Sequence, residues 1–126
     1  MHFERHFTVE EAEAMLDEIK DILSEIRRLR ISLDMQLADL EKLIQTADRN
    51  GGGKAAGPYL DDVLRLSSAI SRISSRGVFI KDLELGLVDF PHIRDGEEVF
   101  LCWRLGEDSI GYWHNIDAGF KGRRPL

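Results

Sequence analysis

What this chain has little of narrows its reading first. It holds one cysteine in 126 residues. No internal disulfide can form, so a reducing, cytoplasmic setting is expected. It has no positive excess: 17 Lys and Arg stand against 23 Asp and Glu, a net charge of -6. That argues against a duplex nucleic-acid partner, whose phosphates need a basic face. No apolar run approaches the roughly 18 residues of a membrane span, so no membrane partner is indicated. The opening "MHFERHF" carries charge where a secretory leader would be apolar, which predicts no leader. CxxC, HExxH, GxSxG and phosphate-loop patterns are all missing, so no cofactor is indicated. The length fits a single domain, residues 1–126, with its own core.

Glycine and proline are also missing from residues 9–50. Apolar residues recur there at Val9, Ala12, Leu16, Ile19, Leu23, Ile26, Leu33, Leu37, Leu40 and Ile44. The steps alternate three and four, broken only where Arg30 takes a stripe position, the period of a helix packed on helices. "FTVEEA" marks the start: Thr8 is placed to cap, Glu11 lies three residues on, and Phe7 is placed to staple against Ala12. "RNGGGKAAGP" predicts a flexible connection. A second helix is expected from about Pro58 to Arg76, with Gly77 at its C′ position. The two would form a long antiparallel, coiled-coil-like hairpin over 1–77. At 1.5 Å per residue, a first helix of roughly 60 Å would face a second of about 28 Å. Half of the long stripe would then lack a cover, to be supplied by the C-terminal sheet or by another copy of the chain; of the two, a homodimer or higher homo-oligomer is expected. The "RRLR" run, Arg27 to Arg30, is expected on a solvated, ion-paired face, given acidic neighbours such as Glu25.

From Gly77 onward the pattern changes. Seven of the ten aromatic residues lie beyond it: Phe79, Phe90, Phe100, Trp103, Tyr112, Trp113 and Phe120. "VFLCWRL" and "SIGYWHN" alternate with the period of two that marks strands. Asp95-Gly96 is a hairpin signal, and "GEDS" at 106–109 is a second turn. Three strands follow, near 87–93, 98–105 and 110–115, with 78–83 as a possible fourth. The expected fold is therefore α+β, a helical hairpin followed by a three- to four-stranded antiparallel meander over 78–126.

Turn lengths translate into a register, and a register decides which side chains meet. A two-residue turn at Asp95-Gly96 pairs His92 with Val99, Phe90 with Leu101, Asp89 with Cys102 and Val88 with Trp103. The "GEDS" turn pairs Leu105 with Ile110, Trp103 with Tyr112, Cys102 with Trp113 and Leu101 with His114. One face is then a core. The other mixes Asp89, Phe100, Cys102, Arg104, Gly111 and Trp113, and its two aromatics predict a covering chain or ligand. Asp89, Arg104 and Trp113, with Arg123 and Arg124 of the tail, become candidate contacts for a small polar or anionic ligand. Cys102 and His114 fall on opposite faces, so no site joins them. His114 and Asp117 are the candidate metal ligands, weighed against a histidine simply hydrogen-bonded at a strand end. A single β-bulge would exchange the faces of the third strand and bring His114 to Cys102.

Five stretches carry a resemblance: "FTVEEAEAML", "GVFIKDLELGLVDFP", "LCWRLGED", "YWH" and "GFKGRRPL". On these the chain resembles the uncharacterised bacterial domain-of-unknown-function family 2203. The resemblance implies a compact bacterial cytosolic protein and assigns no catalytic residue. The residues themselves support an oligomeric interaction module first. A small-ligand or anion-binding protein using the mixed sheet face comes second. A metal-assisted enzyme around His114 and Asp117 comes third, since no nucleophile motif supports catalysis.

Overall fold

The computed structural model describes residues 2–45 and 49–126. Helix α1 (Val9–Ala14) opens on the expected capping box, with Thr8 accepting from the Glu11 N–H and the Glu11 side chain returning to the Thr8 N–H. A one-residue irregularity at Met15 separates it from α2 (Leu16–Gln45). Helix α3 (Arg49–Ser74) is longer than the spacing predicted. It takes in Gly51, Gly52 and Gly53, and holds Pro58 inside rather than at its first turn. Local propensity opposes this, at about 1 kcal/mol for each Gly and roughly 3 for Pro. Once the C-terminal half has nucleated on α2, however, each further residue adds one bond for one residue fixed.

Polar bridges set the two long helices antiparallel. Glu18 pairs with Arg76 and Glu25 with Arg72, while Ser32 and Gln36 reach Asp62. Whether they join as a hairpin depends on 46–48, which lie outside the described residues. Glu25 thus meets Arg72 instead of the neighbouring Arg27–Arg30 run, and Arg27 donates to the Glu84 carbonyl.

The sheet has five antiparallel strands, not three or four, in the order β1 (Phe79–Asp82), β2 (Leu87–Arg94), β3 (Glu97–Arg104), β4 (Tyr112–Asn115), β5 (Arg124–Pro125). The fifth is too short to show alternation. It forms because the tail turns back through a 3-10 turn at Phe120–Gly122 and the Leu126 N–H donates to the Gly111 carbonyl. Between β2 and β3 the register matches the sequence expectation throughout, with Asp95 (φ 51°) and Gly96 (φ 81°) making the turn. Positive φ at both central residues is what a twist-matched two-residue hairpin demands.

The β3–β4 register departs by one residue. Leu101 faces Trp113, Phe100 faces His114 and Cys102 faces Tyr112. The cause is a wider connection than "GEDS" alone. The Trp103 indole N–H donates to the Glu107 carbonyl, and the Ile110 N–H donates to the Glu13 carboxylate on α1 at 2.7 Å. Ile110 is thereby drawn into the core instead of pairing with Leu105, and β4 starts only at Tyr112. A shift of one residue moves every side chain of that strand to the other face.

The core lies between one sheet face and the helices. Val88, Phe90, Leu101, Trp103 and Ile110 pack with Ile19, Leu23, Ile26, Ala69 and Ile73. Trp113 joins this side, half-buried, and so is not on the mixed face.

Candidate functional site

The shifted register builds a cluster on the second sheet face. Asp89 on β2, Cys102 on β3 and His114 on β4 stand on three adjacent strands, and all three are buried. Their donor atoms lie within 4.8 Å of one another. His114 Nε2 sits 3.0 Å from Asp89 Oδ2, and its Nδ1–H donates to the Asn115 carbonyl at 2.8 Å. The second oxygen, Asp89 Oδ1, is buried without a hydrogen-bond partner. Burial by itself lowers the His114 pKa. Bonding to the Asp89 carboxylate, the Cys102 sulfur and the Asn115 carbonyl, with the Asp89 charge, outweighs burial and raises it to about 10.

The chain's own ends cover this face. The Phe3 ring packs 5.4 Å from Phe79 and 5.2 Å from Phe100, and Phe100 lies 5.5 Å from the His114 ring. Glu98, on the same face, pins the N-terminal segment. Its carboxylate accepts the His2 and Phe3 N–H groups and meets His6 Nε2 at 2.7 Å. Burial raises the Glu98 pKa, but these bonds dominate and pull it down to about 2. From the tail, Arg123 Nη2 donates to the Cys102 carbonyl at 3.2 Å and to Glu107 Oε1 at 2.9 Å, with its guanidinium over Tyr112.

The residues proposed for a ligand are only partly gathered. Asp89 and Arg123 share the second face with Cys102 and His114. Arg104 is exposed, and its backbone N–H donates to Glu107; the Asp89 carboxylate expected to pair with it diagonally meets His114 instead. Trp113 lies on the core side, with the Arg94 and Arg124 guanidiniums over its ring at 4.7 and 5.4 Å. Asp117 is exposed and stands apart from the cluster that holds His114. Two sites escaped the sequence reading, the Asp89–Cys102–His114 cluster and the Glu98 clamp. The first needed only the bulged alternative for the third strand. The second joins residues 92 to 96 apart and leaves no local signal.

A second feature lies on α2. Its heptad stripe is buried through Ile19, Ile26 and Leu33, then continues uncovered: Leu37 is 43% exposed and Ile44 74%. Ile31 and Met35 on α2 and Leu60 and Leu64 on α3 add further exposed apolar surface. Among the described residues no helix is long and apolar enough to cross a membrane.

No curated protein and no solved structure matches this chain. A family model described as an uncharacterized conserved protein, DUF2203, matches residues 5–126. The chain therefore belongs to the DUF2203 family, whose model spans both long helices, the sheet and the tail.

Proposed function

We propose that residues 1–126 form a single domain that acts as a homo-oligomeric interaction module, with a second copy of the chain on the distal half of α2. The observation that carries this is the stripe itself. Leu37 and Ile44 keep the seven-residue spacing of Leu16 and Leu23, yet lie in water where Leu16 and Leu23 lie in the core. A heptad seam is self-complementary, because knobs from one helix fill holes on an identical one. Covering one such Leu or Ile contributes about 1.5–3 kcal/mol. The two helices would then serve as a hairpin whose base is sealed by the sheet and whose tip is sealed by its partner. The single cysteine is buried and forms no disulfide, which fits a reducing cytoplasm.

Sedimentation equilibrium tests this directly. The native chain should sediment as a dimer or larger species at high micromolar concentration, and the double variant Leu37→Asp, Ile44→Asp should sediment as a folded monomer. A native chain that remains monomeric overturns the reading. Leu23 is unsuitable for this test, because it is core and its loss would unfold the chain.

A further inference from the structure

We propose that Asp89, Cys102 and His114 form a structural site for a zinc-type divalent cation that ties β2, β3 and β4 together. The reasoning starts from the imidazole. Nδ1 faces a backbone carbonyl at 2.8 Å, and a carbonyl only accepts, so Nδ1 carries hydrogen. In a neutral ring, Nε2 would then aim a lone pair at the Asp89 carboxylate 3.0 Å away. Two electron-rich atoms held that close in a buried site require a cation between them, either a proton or a metal ion. The Asn115 carbonyl bond is also the outer contact that orients ligating histidines, leaving the other nitrogen free to bind.

Further observations favour a metal. Tetrahedral zinc, with bonds of about 2.0–2.3 Å, separates its ligand atoms by roughly 3.3–3.7 Å. The His–Asp pair is already close to that, and all three donors lie within 4.8 Å. Closure therefore needs about an ångström of side-chain movement, mostly at the cysteine. Asp89 Oδ1, buried and without a partner, would lose its desolvation cost if the carboxylate turned both oxygens to the ion, a bite shorter than a tetrahedral edge that leaves three protein ligands. Charge is balanced as well. A divalent ion, a thiolate, a carboxylate and a neutral imidazole sum to zero. Loading therefore exchanges protons for metal without burying net charge. Thiolate, imidazole and carboxylate together suit zinc better than magnesium or calcium. Phe3, Phe79 and Phe100 wall the cluster from water, so the site is closed, as structural zinc sites are.

The test uses the full chain, stripped with chelator and then titrated with cobalt(II) and zinc(II). Because Cys102 is the only cysteine, a thiolate-to-cobalt charge-transfer band reports this site and no other. Adventitious binding at the exposed His2 gives no such band. A single equivalent should saturate the band, zinc should displace it, and zinc should raise the melting temperature. Cys102→Ser should abolish the band and the thermal shift. If that variant fails to fold, the native titration still decides. Absence of the band in folded native protein, or a zinc shift that survives in folded Cys102→Ser, would overturn the site and leave a proton as the buried cation. Oligomeric state is measured separately, so either proposal can fail alone.

Discussion

One face of the sheet presents Val88, Phe90, Leu101 and Trp103 to α2 and α3. The other presents Asp89, Phe100, Cys102 and His114 to the chain's own ends. Both exclude water, but by different physics. The first buries contiguous hydrocarbon, where stability scales with area and every methylene is felt. The second buries polar atoms that must each find a partner, and it is closed by hydrogen bonds from residues near 2–6 and by Arg123. The apolar face should therefore respond to lost volume, and the polar face to lost partners and to pH.

The largest effect is expected on the apolar side. Trp103 is fully buried, with its indole N–H satisfied by the Glu107 carbonyl. Trp103→Ala should cost about 3–5 kcal/mol in urea unfolding, through the cavity it leaves. It should also free the 105–111 connection that sets the β4 register.

Next comes a change with almost no loss of volume. Asp89→Asn, measured in chelator, keeps the size of the side chain but weakens the contact to a buried cationic imidazole. A hydrogen bond to a charged group is worth about 1.5–3 kcal/mol, so a loss near 2 kcal/mol is expected. An isosteric change on the apolar face should cost less. A negligible loss would show that the second face is held by its aromatic rings instead.

Trp113 sharpens the comparison, because the sequence placed it wrongly. It lies half-buried at the edge of the apolar face beneath Arg94 and Arg124. Its truncation to Ala should cost about 1–2 kcal/mol, following the smaller area it buries. A loss as large as that of Trp103→Ala would mean the sheet edge is as essential as its centre.

That misplacement shows where legibility ended. The Thr8–Glu11 cap, the Asp95-Gly96 turn and the whole β2–β3 register rest on local chemistry, and all were visible in order along the chain. The β3–β4 register was not, because it depends on Glu13, far away in sequence, gripping the Ile110 N–H. One residue of error there hid the cluster, since it put Cys102 and His114 on opposite faces. The start of α3 was misjudged for a related reason. Gly and Pro propensities are local, while the cooperative extension of a helix already formed on α2 is not.

The smallest effect is confined to acid and belongs to the clamp on the second face. Glu98 ordinarily titrates near 4.5 and is held at about 2 by the His2 and Phe3 N–H groups and His6, against the opposing pull of burial. A carboxyl depressed on folding contributes stability that is complete above its unfolded value and is lost as pH falls through its folded one. The melting temperature should therefore lose this contribution between about pH 4.5 and pH 2. Proton uptake on unfolding should appear across the same window. Glu98→Gln keeps an acceptor for only one of the two backbone donors and no longer titrates, so it should flatten that part of the profile. Because the clamp covers the second face alone, Trp103 fluorescence should barely change while the segment around Phe3 loosens. If amide exchange at Phe3 is as slow in Glu98→Gln as in the native chain at pH 3, the ring packing of Phe3 on Phe79 and Phe100 holds the segment without the carboxylate.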